Sequence, residues 1–198
     1  MAKRLFDLFV ACCALLLLSP LLLGIALAIK LDSPGPVFFR QVRVGRGGRE
    51  FRIHKFRTMV VNDEARSAQI TVGADPRITH VGAWLRRTKC DELAQLIDVL
   101  QGTMSLVGPR PEVPRYVALY PEALKRQVLA VRPGITDVAS IEFRDENTLL
   151  AKATDPERVY VETVLPAKLA LQAHYVNHRT MWLDLKLIGR TLAVLQKR

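Results

Sequence analysis

Residues 8–29 read LFVACCALLLLSPLLLGIALAI, with no charged side chain anywhere in the run. At about 1.5 Å per residue, a straight helix of this length just crosses a hydrocarbon layer of roughly 30 Å. Two features argue against a simple span. Ser19 and Pro20 stand in its middle, and proline removes a backbone donor and clashes with the preceding turn, so a kink or break is expected there. The Ser19 hydroxyl can occupy a carbonyl that the proline frees. The flanks are the second feature: Lys3 and Arg4 precede the run while Lys30, Arg40 and Arg43 follow it. Orientation follows an excess of Lys and Arg on the cytoplasmic side, and here both ends qualify. The expectation is a re-entrant membrane helix over residues 1–31 that leaves by the face it entered, with a single span and a signal peptide as the competing readings. Ala26-Leu27-Ala28 has the form of a cleavage site, but the apolar run is long for a signal and Asp7 lies near its start, so the segment is expected in the mature protein.

The rest of the composition fits that frame. The chain has 198 residues, 49% of them hydrophobic, a mean hydropathy of +0.13 and a net charge of +10. The apolar content excludes a disordered chain, and three cysteines, two of them adjacent, exclude a disulfide scaffold. Between residues 30 and 57, eight Lys or Arg against Asp32 and Glu50 carry +6 of the net charge. Basic residues directly after an apolar segment suit a cytoplasmic face on anionic phospholipid. Nucleic-acid binding would want aromatics interleaved with the basic residues or a known module, and neither is present, so no nucleic-acid partner is expected.

Asp32-Ser33-Pro34-Gly35-Pro36 reads as a turn dividing the membrane segment from a globular domain over residues 32–198. Residues 37–44 and 50–56 form a hairpin signal around Gly45-Arg46-Gly47-Gly48, followed by a polar loop through Asp75-Pro76. Helical spacing of Trp84, Leu85, Leu93, Leu96, Ile97 and Leu100 gives one or two amphipathic helices ending at Gly102. Residues 105–114 read as a loop, residues 116–131 as a helix, and residues 157–197 as helical with an interruption at Pro166. Trp182, Leu183, Leu187, Ile188, Leu192 and Leu195 read most simply as a core-facing stripe, with interfacial contact by Trp182, and Lys186 and Arg190 toward headgroups, as the competing reading. The expected fold is mainly α with one small β-hairpin, an α+β domain.

Asp91-Glu92 is the pair that chemistry would use. Thr88-Lys89-Cys90-Asp91 has the pattern of a capping box, which explains both carboxylates without any function. Around it, however, stand Lys55, Arg57, Arg86 and Arg87, then Gly108-Pro109-Arg110-Pro111 and Arg132-Pro133-Gly134. Rigid loops carrying arginine beside a helix N-terminus suit phosphate oxygens, and a carboxylate among them can attack phosphorus. The four histidines lack acidic or cysteine partners in a ligand pattern and read as surface or core residues.

Five pieces in order carry a resemblance: the Ser19-Pro20 break, Lys55-Phe56-Arg57-Thr58-Met59, Asp91-Glu92-Leu93, residues 104–112 (MSLVGPRPE) and residues 131–136 (VRPGIT). Together they make the chain resemble the bacterial sugar transferases, the monotopic phosphoglycosyl transferases of the inner membrane. The resemblance implies transfer of a sugar 1-phosphate from a UDP-sugar to undecaprenyl phosphate, with release of UMP, as the first membrane step of a bacterial glycan pathway. It implies that Asp91 forms a covalent phosphosugar intermediate, and that Glu92, with Asp91, is associated with Mg²⁺. Arg110 would bind phosphate and Arg144 would contact the nucleotide, while Lys55, Arg57, Arg86 and Arg132 match basic substrate-binding positions. The implied location is the cytoplasmic face of the bacterial inner membrane, and a homo-oligomer is left open. Ala94 stands where the family often has proline, and Asp137 where it commonly has glycine. The opposing reading is a membrane-anchored, non-catalytic scaffold in which Asp91 and Glu92 only cap a helix.

Overall fold

The computed structural model describes residues 1–61 and 75–196. Most of the polar loop that precedes Asp75, Lys197 and the side chain of Leu195 lie outside the described residues. The architecture is mainly helical with two small sheets.

Helix α1 covers Ala2–Asp32 and is long and apolar enough to cross a membrane. It does not stop at Pro20: the helix runs through, and the break expected at Ser19-Pro20 is not an interruption of secondary structure. The Ser19 hydroxyl donates to the Leu16 carbonyl at 2.8 Å, the acceptor one turn before the proline that the missing N–H leaves open. Leu16, Leu17 and Leu23 are exposed, whereas both ends of α1 are tied to the same globular body. Near the start, Lys3 pairs with Asp184 at 2.5 Å, and buried Asp7 accepts from the Ser105 hydroxyl at 2.8 Å. At the other end, Asp32 accepts from the Val81 N–H at 2.9 Å.

Strands β1 (Phe38–Val44) and β2 (Glu50–Phe56) form the expected hairpin, in register from Val44 opposite Glu50 to Phe38 opposite Phe56. The helical spacing around Leu85 and Leu96 resolves into two helices, α2 (His80–Thr88) and α3 (Gln95–Gln101), the second closed by Gly102 at φ 87°. Residues 105–107, read as loop, are instead strand β3 (Ser105–Val107), which pairs in parallel with β4 (Gly134–Thr136). That pairing requires glycine on both sides, because a Cβ on Gly134 would stand 2.1 Å from the Gly108 nitrogen, and one on Gly108 would stand 2.4 Å from the Arg132 oxygen.

Between these strands, the expected single helix is two, α4 (Pro114–Val117) and α5 (Glu122–Val128), split where Pro121 cannot supply a donor. Helices α6 (Val138–Glu142) and α7 (Glu146–Ala151) follow. Helix α8 (Pro156–Val159) passes through a π-helical turn, Tyr160–Val164, into α9 (Leu165–His178). Pro166 therefore does not interrupt the helix, since the wider turn before it absorbs the missing hydrogen bond. The interruption falls at Arg179, and Thr180 opens α10 (Met181–Gln196) with its hydroxyl accepting from the Leu183 N–H at 3.1 Å. Of the stripe on α10, Leu187 is buried, but Trp182 is 77% exposed and does not face the core.

Candidate active site

Three chain segments build the site. Strand β2 carries Lys55 as its penultimate residue, and the residue before it is clamped: the His54 N–H donates to Asp98 Oδ2 at 2.8 Å, and its ring Nδ1 meets Asp98 Oδ1 at 2.7 Å. This fixes β2 to α3 one residue from the lysine. Helix α2 supplies the second segment. Thr88 is its last residue and bonds backward, to the Trp84 and Leu85 carbonyls at 3.0 and 3.2 Å, so it is not the N-cap that the capping-box reading requires. Lys89 turns the chain with a left-handed backbone, φ 59°. Cys90–Glu92 then make one 3₁₀ turn that drives Asp91 inward to 2% exposure. The third segment is the Pro109-Arg110-Pro111 loop after β3. Its Arg110 N–H donates to Asp137 Oδ2 at 3.2 Å, while Asp137 Oδ1 caps α6 by accepting from the Ser140 N–H at 2.6 Å. The aspartate standing at the family's glycine position thus holds the arginine loop in place.

The side chains converge. Lys55 Nζ lies 2.8 Å from Asp91 Oδ2 and 3.5 Å from Glu92 Oε1. Arg110 takes Glu92 from the other side with both guanidinium nitrogens, one at 3.0 Å from Oε2 and the other against Oε1. Burial alone would push the Glu92 carboxyl up, but Arg110 and Lys55, with Lys89 beyond them, hold it well below the usual carboxylate range. Glu92 in turn raises Arg110 above its ordinary value. Arg86 donates to the Thr58 hydroxyl at 2.9 Å, and burial pulls it below its ordinary value against the opposing attraction of Asp91. Asp91 Oδ1 is buried and has no hydrogen-bond partner among the described residues. Lys55, Asp91, Glu92, Arg86 and Arg110 line one cleft of about 730 Å³, together with Lys89, Arg144 and an apolar wall that includes Val10, Leu106 and Ile188. Around Asp91, the cations Lys55, Arg86, Lys89 and Arg110 outnumber the carboxylates Asp91 and Glu92.

The residues expected from sequence divide accordingly. Asp91, Glu92, Lys55, Arg86, Arg110 and Arg144 share the cleft. Arg57 does not line it: its guanidinium is buried against the end of α1, donating to the Ser33 carbonyl at 2.7 Å, to Ile29 at 3.3 Å and to Pro34. Arg132 is also elsewhere, donating to the Gly102 carbonyl at 2.8 Å behind α3. The cleft adds residues that sequence reading passed over. Glu112 accepts from the Tyr160 hydroxyl at 2.8 Å and faces Arg43 and Lys168, each at 3.6 Å. Glu112 and Lys89 both stood inside motifs already singled out, whereas Tyr160 and Lys168 arrive from the C-terminal helices with no local signal.

Among the described residues, no group of three His, Cys, Asp or Glu side chains could hold a metal alone. Mg²⁺ is ordinarily held by one or two carboxylates, with water and substrate phosphate completing its shell. The orphaned Asp91 Oδ1 beside Glu92 fits such a partial donor set.

A buried carboxylate with one oxygen held by lysine, one left open, and arginines around it is suited to displacement at phosphorus. The chain matches the bacterial sugar transferase family over residues 1–198, and it belongs to that family. It is 39% identical over 194 residues to the UDP-N-acetylgalactosamine-undecaprenyl-phosphate N-acetylgalactosaminephosphotransferase of Aeromonas hydrophila, covering 96% of this chain and 42% of that protein. It is 39% identical over 193 residues to the UDP-glucose:undecaprenyl-phosphate glucose-1-phosphate transferase of Escherichia coli (strain K12), covering 96% of this chain and 39% of that one. It is 42% identical over 200 residues to the exopolysaccharide production protein PSS of Rhizobium leguminosarum bv. phaseoli, covering 96% of this chain and 92% of that protein. The chain thus spans about two-fifths of the length of the first two relatives and nearly all of the third.

Proposed function

We propose that this chain transfers a sugar 1-phosphate from a UDP-sugar to undecaprenyl phosphate, releasing UMP, with Asp91 as the nucleophile. The observation that carries this reading is Asp91 itself, buried in a cationic cleft with Oδ2 ion-paired to Lys55 and Oδ1 unpartnered. In the first step an Asp91 oxygen bonds to the sugar-bearing phosphorus while the bond to the bridging oxygen breaks, and UMP departs with that electron pair. In the second, a phosphate oxygen of the lipid acceptor attacks the same phosphorus and the Asp91 oxygen leaves, restoring the carboxylate. Neither step moves a proton. Lys55, ion-paired to Asp91, aims its carboxylate, and Arg110, held by Glu92, neutralises charge on the transferring phosphoryl group. Asp91 and Glu92 are the side chains that would hold Mg²⁺, whose chemistry there is to neutralise the donor diphosphate.

Two displacements at one aspartate let a water-soluble donor and a membrane-bound acceptor use the same site in turn. Helix α1 supports that arrangement, since its exposed leucines offer an apolar surface while both ends dock on the body that carries the cleft. We read it as entering and leaving the cytoplasmic face of the inner membrane. Thr88 makes no N-cap bond, which supports a role for Asp91 and Glu92 beyond a capping box.

The test is UMP release from a panel of UDP-sugars with undecaprenyl phosphate and Mg²⁺, using wild type and Asp91→Asn. The expected result is UMP with at least one donor, a phosphosugar adduct on the wild-type chain by mass when acceptor is withheld, and neither with Asp91→Asn. No UMP with any donor, or full turnover by Asp91→Asn, defeats the proposal.

A further inference from the structure

Lys89 is a cation around Asp91 that this reaction leaves without a task and that, unlike Lys55, Arg86 and Arg110, has no hydrogen-bond or ion-pair partner among the described residues. Among the described residues it alone, glycines aside, has a positive φ, 59° with ψ 15°. The position directly after a helix end is one that glycine ordinarily takes, because a Cβ is unfavourable in the left-handed region. A lysine there keeps the backbone penalty and brings a charge with it. The helix dipole is not a sufficient reason for that charge, since Arg86 and Arg87 already occupy the last turn of α2.

The placement of the side chain is informative. Lys89 lines the same cleft as Asp91, Glu92, Lys55 and Arg110, and the residue is open to solvent. Lys55 and Arg110 are each committed to a carboxylate. The Lys89 ammonium has neither a hydrogen bond nor an ion pair among the described residues, although it shares the cleft with Lys55, Arg86 and Arg110. With Lys55 and Arg110 matched by Asp91 and Glu92, Lys89 is a positive charge in the cleft that an incoming anion can meet.

We infer that Lys89 is a phosphate-binding residue of this site, closing on phosphate oxygens from the α2 side while Arg110 meets them from the β3 side. The inference rests on the proposed reaction for the identity of the anion. Two phosphates then visit the cleft in turn, the nucleotide diphosphate and the lipid monophosphate, and the chemistry by which Lys89 takes either is the same. An ammonium on a flexible stem suits this, because it binds phosphate as a point charge and can follow it, where a guanidinium fork fixes one orientation.

Three variants of the full-length chain test the inference: Lys89→Met, Lys89→Arg and Lys89→Gly. UDP affinity by calorimetry is measured alongside KM for the UDP-sugar and for undecaprenyl phosphate. Lys89→Met should weaken UDP and raise the donor KM about tenfold, or raise the acceptor KM by a similar factor, and the arm that moves identifies the phosphate. Lys89→Arg should retain most of the binding. Lys89→Gly should melt above wild type, because its backbone is relieved, yet share the loss seen with methionine, which separates lost binding from lost folding. Wild-type UDP affinity together with wild-type KM values for both substrates, in Lys89→Met or in Lys89→Gly, overturns the inference. A wild-type chain that binds UDP but releases no UMP overturns the reaction instead, and Lys89 is then judged by UDP affinity alone.

Discussion

Arg57→Met separates two roles that a basic motif cannot distinguish. The motif places Arg57 two residues from Lys55, and resemblance makes both substrate-binding, but the guanidinium of Arg57 is spent on the carbonyls of Ile29, Ser33 and Pro34 where α1 ends. Methionine keeps an unbranched apolar stem of similar reach and removes every donor. A buried acceptor left unpaired costs about 1–3 kcal/mol. Three carbonyls are involved, and water can reach those nearest the turn, so the net loss should be about 3 kcal/mol. For a chain of this size each kcal/mol moves Tm by about 2–4 °C, giving a fall of roughly 6–12 °C. Arg57→Lys should recover only part of this, because one ammonium cannot fork to three carbonyls. The assay is thermal unfolding of the detergent-solubilised chain, with donor KM measured well below the transition. The reasoning fails if Tm is unchanged while donor KM rises tenfold, since the guanidinium would then be working on substrate.

Two further predictions follow from the same geometry. The folded-state value of Glu92 lies below its unfolded value of about 4.3, so its ionic contribution is fully present above that pH and is lost as the pH falls through the folded value. Glu92→Gln should therefore melt well below wild type at pH 7 and approach it as the pH drops below about 4, and a gap that widens toward acid would contradict the Arg110 and Lys55 pairing. For α1, reporters fused at the two termini should both be cytoplasmic, and Pro20→Ala should shift the N-terminal reporter toward the periplasm; a periplasmic N-terminus in the wild-type chain would establish a span.

Local pattern was enough for the elements whose own residues supply the reason to form. Alternation and a glycine-rich turn make the β1–β2 hairpin, and the apolar spacing around Leu85 and Leu96, closed by Gly102, makes α2 and α3. The parallel pair β3–β4 has no such signal, because three residues at 105 meet three at 134 and the reason is mutual, two glycines whose backbones approach too closely for any Cβ. The site shows the same division. Asp91, Glu92 and Arg110 were legible because carboxylates and a proline-fixed arginine are informative residue types. Which arginine faces the cleft was not legible, since Arg57 and Arg110 differ only in the partners that the folded chain brings to them. Thr88 fits an N-cap pattern equally well on paper, and only the left-handed turn at Lys89 makes it the end of one helix instead of the start of the next.

Helix α1 joins these two kinds of information. Proline in the middle of an apolar run was read as a break, on the ground that the carbonyl one turn earlier loses its donor. The premise holds and the consequence differs, because Ser19 supplies the donor from within the same turn and the helix continues to Asp32. At roughly 1.5 Å per residue α1 has a contour length of about 46 Å, and Lys3 and Asp7 at one end and Asp32 at the other all close on the globular body. Arg57 completes the second of those attachments. The basic motif after the apolar segment therefore serves the fold and the cleft through residues two apart: Lys55 turns to Asp91, and Arg57 fastens the apolar helix to the body that carries the cleft.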